Sequence, residues 1–270
     1  MKPTVSFLLI LILLGCRGNP GNNPEDQTRA GEQNEAAPAI TRFPENLAKV
    51  LEAHGGLSSW QEKQTLRFQI PEDEGTETHT IDLQSRKDRV EGPSYTLGFD
   101  GEKVWLADPG HTFKGNAAFY HNLMFYFFAM PFVLADDGIR YGPADDLVYQ
   151  GKTYPGIKIG YDRGVGASPK DEYYLYYDPE TQRMAWLAYT VTFFQGEPSD
   201  DLHWLRYDRW QEVNGLLVPE SLTWYNNSGK AIGDARDSVH FQGVSLMENR
   251  MPEGFYGMPS DAEVVLPKDQ

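Results

Sequence analysis

The stretch EYYLYYDPETQRMAWLAYTVTFF, residues 172–194, reads as two strands with a turn between them. Its flanks are crowded with Tyr, Trp, Val and Thr, side chains that suit a pleated, half-buried surface. Asp178-Pro179-Glu180-Thr181 supplies the reversal, because Pro presets the backbone and Asp bonds its own chain further on. An antiparallel hairpin follows. The same grammar recurs: Asp100-Gly101 separates YTLGF from KVWLA, Asn214-Gly215 follows HWLRYDRWQEV, and Asn226-Asn227-Ser228-Gly229 follows LLVPESLTWY. Leu66, Phe68 and Ile70 alternate with polar neighbours, as do Ile81 and Leu83. About ten to twelve such strands are predicted, and that many turn-linked strands form an antiparallel meander that curls into a barrel or half-barrel.

Two segments depart from this pattern. After Pro44-Glu45-Asn46, residues Leu47, Val50, Leu51 and Trp60 fall on one side of a predicted N-terminal helix, which stops at AHGGLSSW. Gly55 suits the left-handed position that ends a helix, Gly56 lets the chain turn behind it, and His54 is placed to satisfy the last carbonyls. The second is HNLMFYFFAMPFVLADD, residues 121–137, in which Leu123 to Ala135 are all apolar. Asn116 to Ala129 holds no Gly or Pro and predicts three to four helical turns, ended by Pro131. Such a helix, apolar all round, is expected to be buried on more than one side. At about 20 Å it is too short for a hydrocarbon core of about 30 Å. Core, lid or interfacial wedge are the roles left open.

The chain has 270 residues, 39 acidic and 24 basic, for a net charge of −15. That balance repels phosphate backbones and argues against nucleic acid as a partner. The single cysteine, Cys16, allows no disulfide framework. It closes MKPTVSFLLILILLGC, which has the charged, apolar and small-residue order of a secretory signal. Leu13-Leu14-Gly15-Cys16 is similar to the lipobox of bacterial lipoproteins, which implies that Cys16 becomes an acylated N-terminus. Multiple acyl chains hold a protein on a membrane where one is marginal. Arg17 and Gly18 follow, without the Asp that commonly retains such proteins at the inner membrane, so an outer-membrane anchor, facing the periplasm, is expected. Residues 17–40 are Gly, Pro, Asn, Gln, Ala and charge, a composition that cannot offset the entropy of ordering. The organisation predicted is a signal peptide over 1–15, acylated Cys and tether over 16–41, and one domain over 42–270.

Catalytic motifs are sparse. The sequence holds no HExxH, GxSxG, Cys-His pair or phosphate loop, and His54, His79, His111, His121, His203 and His240 lack metal-ligand spacing. Gly164-Val165-Gly166 with Ser168 reads as a hairpin tip. Asp136-Asp137, Asp145-Asp146 and Asp200-Asp201 read as solvated turns, since neighbouring carboxylates rarely span a cleft of about 5–10 Å. In DDLHWLRYDRW, strand spacing puts Trp204 and Trp210 on one face with Tyr207 opposite. No enzyme, cofactor or metal is expected.

The segments LAKVLEAHGGLSSWQEKQTLRFQI (47–70), YYDPETQRMAWLAYTV (176–191), VNGLLVPESLTWY (213–225) and GVSLMENRMPEGFYGMPSDAEV (243–264) together resemble the lipoprotein-carrier superfamily typified by LolA and LolB, and related outer-membrane lipoproteins. The resemblance covers most of residues 43–264. It implies an α+β fold: a strongly curved antiparallel sheet, with the N-terminal and central apolar helices over its concave side. It also implies an apolar cavity for a hydrophobic small molecule or lipoprotein acyl chain. Candidate cavity or lid residues are Leu123, Phe125, Phe128, Met130, Phe132 and Trp105. The alternatives are an interaction lipoprotein with a filled core and, from the Trp- and Asp-bearing strands, a glycan-binding or hydrolytic module.

Overall fold

A computed structural model describes residues 42–162, 170–194, 197–228 and 231–266 of the chain. The predicted N-terminal helix is α1 (Glu45–Ala53), followed at once by α2 (Leu57–Gln61). Leu47, Val50, Leu51 and Trp60 are buried as their spacing requires. Between the helices Gly55 and Gly56 have φ of 101° and 87°. A Cβ at Gly55 would lie 2.3 Å from the Gly215 carbonyl oxygen, so glycine is needed there for close approach as well as for its dihedral angle.

Next come β1 (Thr65–Glu72), β2 (Gly75–Asp82), β3 (Asp88–Glu91), β4 (Thr96–Phe99) and β5 (Val104–Ala107). The helical segment holds α3 (Ala117–Tyr120), α4 (Leu123–Phe128) and a 3₁₀ turn over Phe132–Ala135. Then follow β6 (Ile139–Tyr149), β7 (Lys152–Tyr161), β8 (Tyr173–Tyr177), β9 (Met184–Tyr189), β10 (His203–Val213), β11 (Leu216–Ser228), β12 (Ala231–His240), β13 (Gln242–Met247) and β14 (Glu263–Val265).

The pairing is antiparallel and mostly sequential, as the turns predict. Where one sheet of ten to twelve strands is expected, the described residues form two seven-stranded sheets, ordered β13-β1-β2-β3-β4-β5-β14 and β12-β11-β10-β9-β8-β7-β6. Neither sheet is closed. The division has a local cause. β12 and β13 are edge strands separated only by Phe241, whose amide still bonds Glu220 of β11 while its side chain is buried in the core. Gly243 then takes φ 56°, and the β1–β13 register shifts between Arg67 and Gln69. One run of chain thus serves both sheets.

The turns at Asp100-Gly101, Asp178–Thr181 and Asn214-Gly215 fall where the sequence places them. Asn214 and Gly215 have φ of 52° and 79°, the pair of positive values that a tight hairpin turn demands. The turn expected at Asn226–Gly229 differs: β11 continues through Ser228. A second correction concerns β10. Its register slips between Arg206 and Trp210, so strict alternation fails. Tyr207 and Trp210 both pack with the main core, their rings 5.9 Å apart, whereas Trp204 joins Trp186 in a separate cluster. No shared Trp204–Trp210 face exists for a sugar ring to stack on.

The central apolar segment is broken more finely than predicted. Asn116 caps α3 by accepting from the Phe119 amide at 3.2 Å, the helix breaks at Asn122 with φ −114° and ψ 0°, and the preceding His121 has its Nδ1 2.6 Å from buried Asp88 Oδ2. α4 ends at Ala129, ahead of a cis Met130–Pro131 bond. The segment is held from several sides: Phe128 stacks on Phe68 at 4.9 Å and meets Phe241 edge-on at 4.9 Å. The Tyr207 hydroxyl donates to the Phe127 carbonyl at 2.8 Å, and Phe132 stacks on Trp60 at 4.6 Å. Among the described residues, no helix is long and apolar enough to cross a membrane.

Candidate functional site

One side of α3–α4 lines a pocket of about 270 Å³. Its apolar walls come from Phe119, Leu123, Phe127, Met130 and Val133 of the helical segment, Ile139 of β6, and Phe193 beyond β9. Tyr126, Tyr161 and Tyr173 add aromatic surface, and Arg86, Asp136, Asp137 and Asp171 are the charged members. The volume is near the lower edge of ligand pockets, about 300–1,000 Å³, which suits one small amphiphile better than several acyl chains.

The predicted residues separate into three groups. Leu123 and Met130 line the pocket. Phe125, Phe128 and Phe132 are fully buried core side chains that do not reach it. Trp105 is elsewhere: it packs with Ala107 and Ala262, and its indole N–H donates to the Tyr256 carbonyl at 3.2 Å. Cys16 lies outside the described residues, as do the signal, the whole tether, and the hairpin tip expected at Gly164–Ser168.

Several pocket residues escape sequence reasoning. Arg86, which the sequence does not single out, sits in the β2–β3 turn with φ 61°. Its Nη2 donates to Asp136 Oδ2 at 2.6 Å and its guanidinium lies 5.1 Å from the centre of the Phe125 ring. Asp136 is therefore an ion-paired wall residue and not the solvated turn expected of the Asp136-Asp137 pair. Burial pushes its carboxyl upward, against the pull of Arg86 and Arg42. Exposed Asp137 pairs with Arg42. Asp145 and Asp146 also differ from expectation, being exposed residues within β6 at its bulge, whereas Asp200 and Asp201 are exposed outside the strands.

Asp171, immediately before β8, is 8% exposed. Its Oδ1 accepts from both the amide and the hydroxyl of Thr192, each at 2.7 Å. Burial raises its pKa above the ordinary range, opposed by the Thr192 bonds and by His203. Burial likewise raises the phenols of Tyr161 and Tyr173, and the nearby Asp171 charge adds to both shifts.

Two further buried polar groups look chemical and are structural. His79 Nε2 is 2.6 Å from Glu77 Oε1, and the hydroxyls of Tyr120 and Tyr95 donate to the same carboxylate. Burial alone would raise the Glu77 pKa, but these bonds outweigh it and hold it below its ordinary value. Glu77 and His79 are 1% exposed or less, closed to any substrate. His54 is the C-cap residue of α1, but its ring does not turn back to the last carbonyls of the helix as predicted. Its Nδ1–H donates to Leu217 O at 3.0 Å, while Nε2 accepts from the Met184 amide at 3.1 Å, tying α1 to β11 and β9. Burial lowers its pKa to about 4. Among the described residues, no group of three or more His, Cys, Asp and Glu could hold a metal ion.

A second cleft, about 450 Å³, lies on the opposite flank of the helical segment, lined by Tyr120, Met124, Ile70 and Glu72 together with Val239 and His240 of β12. It has little apolar surface beyond these side chains.

The sequence model of a family of unknown function (DUF6503) matches residues 109–199, a span from the α3 approach to the segment between β9 and β10. No curated protein matches the chain. Among solved structures, the chain is similar to a LolA superfamily protein from Nitrosomonas europaea, at 8% identity and TM-score 0.42, covering 74% of this chain and 96% of that one. A DUF1329 family protein from Desulfovibrio piger matches at 9% identity and TM-score 0.44, over 78% of this chain and 95% of that chain. A domain from Vibrio parahaemolyticus described as an outer membrane lipoprotein-sorting protein matches at 10% identity and TM-score 0.37, over 76% of this chain and 97% of its own.

Proposed function

We propose that this chain is a lipoprotein anchored through Cys16 to the periplasmic face of the outer membrane, and that it holds a hydrophobic ligand against its central apolar segment. The observation that carries the reading is the pocket beside α3–α4, whose walls include Leu123 and Met130 from the run that sequence marks as too apolar for a surface. In this reading the two sheets curve around the segment, and α3–α4 is the partition between the pocket and the second cleft.

The packing of Phe125, Phe128 and Phe132 favours a second reading, an interaction lipoprotein with a filled interior. A binding titration separates the two. The full chain with Cys16→Ser, which cannot be acylated, is titrated with dodecanol against a fluorescent apolar probe. Saturable displacement at one site, weakened by Met130→Ala, supports the ligand reading. Absence of saturable binding supports the filled core. Anchoring is tested separately: the wild-type chain is expected to incorporate labelled fatty acid and sediment with membranes, and Cys16→Ser to do neither.

A further inference from the structure

The charges around the pocket do not balance. Arg86 pairs with Asp136 and Arg42 pairs with Asp137, so each guanidinium is matched by one carboxylate. Asp171 is the third carboxylate and has no such partner. Thr192 occupies only its Oδ1, and among the described residues no further bond engages Oδ2. The residue is more than nine-tenths buried and lines the pocket. A carboxylate oxygen at a pocket wall with no protein partner is open to a cation, and a charge-assisted bond made there is among the strong ones.

The surroundings of that oxygen suit a particular kind of cation. Tyr161 and Tyr173 meet edge to face at 5.7 Å, and both phenols feel the Asp171 charge. Phe193 adjoins Thr192 in the chain and packs on Phe119 at 5.1 Å. Aromatic faces around a negative charge attract weakly hydrated ammonium groups, whereas they offer nothing to an anion. Beyond them Leu123, Met130 and Val133 continue the pocket as apolar wall.

We propose that this pocket takes an amphiphile whose polar end is an ammonium group, seated against Asp171 among Phe119, Tyr161, Tyr173 and Phe193, with its apolar chain along Leu123 and Met130. The assignment rests on the hydrophobic-ligand reading above and narrows it to a charge class. The anionic alternative would use Arg86, whose Nη1 is buried without a partner. That guanidinium is already paired to Asp136, so a carboxylate entering there meets a neutralised site.

The test uses the Cys16→Ser chain with dodecyltrimethylammonium, dodecanol and dodecanoate at equal chain length, each below its micellar concentration. Wild-type pocket residues are expected to bind the ammonium compound about tenfold more tightly than the alcohol. Asp171→Asn, which keeps an oxygen for Thr192, should abolish that preference, read as the ratio of ammonium to alcohol affinity. Asp145→Asn, at an exposed carboxylate elsewhere, should leave it intact, which separates the site from the overall charge of −15. Phe119→Leu, which keeps the carboxylate, should reduce the preference and serves if Asp171→Asn does not fold. Equal binding of all three compounds, or tighter binding of dodecanoate, overturns the ammonium assignment and leaves the hydrophobic pocket standing. Failure of every compound to bind overturns both.

Discussion

His54 carries more structure than its position at a helix end suggests. Both ring nitrogens are engaged, and its own carbonyl accepts from the Leu217 amide at 2.9 Å, so a single residue joins α1 to two strands. Its removal leaves the part-buried Leu217 carbonyl and the buried Met184 amide unpaired, at about 1–3 kcal/mol for the buried group. His54→Leu is accordingly expected to lower the urea midpoint sharply. The acceptor role of Nε2 requires the neutral ring. With the folded pKa near 4 and the unfolded value at 6.5, the unfolded chain binds more protons between those limits. Stability from this residue is therefore complete above pH 6.5 and lost as pH falls toward 4, an effect of about 3 kcal/mol. Denaturant titrations between pH 4.5 and 7.5 should show that slope in the wild type and lose most of it in His54→Leu. The sequence marks His54 as a bland residue, and that much is right. Which groups it bonds was not legible, because Leu217 and Met184 are brought to it by the hairpins and lie far away in the chain.

At the scale of the element, the helical segment over 117–135 divides its labour between core and pocket. Phe128 lies between Phe68 and Phe241 and does not touch the pocket, so Phe128→Ala should cost about 3–5 kcal/mol, read by thermal or urea unfolding, while leaving ligand affinity close to wild type. Met130→Ala and Leu123→Ala should show a smaller loss of stability and a larger loss of affinity. The reverse pattern would move the site. The run was conspicuous in sequence because thirteen apolar residues demand cover. Its division into α3, α4 and a 3₁₀ turn was not legible, since the break falls at Asn122, inside a run without Gly or Pro. The bulge in β10 was hidden for a similar reason: period-2 patterning predicts faces only while the register holds, and no residue in HWLRYDRW announces that it slips.

For the whole molecule, the meander was readable because each hairpin carries its own turn chemistry and each strand its own alternation, both local signals. The split into two sheets was not, because it arises where Phe241 turns into the core between two otherwise ordinary strands. The pocket was half legible. Most of its apolar wall stands in the stretch from Phe119 to Val133, but Arg86, Asp136 and Asp171 come from a turn, the end of the helical segment and the approach to β8, and meet only in the fold. The central claim is that this pocket holds a hydrophobic ligand, and its most direct test is mass spectrometry of organic extracts from the purified Cys16→Ser chain, beside the same chain with Met130→Trp to fill the pocket. The account predicts one amphiphilic species approaching one molecule per chain, lost when Met130 is replaced. An extract free of any such species, or the same species retained at full stoichiometry by the Met130→Trp chain, would contradict it.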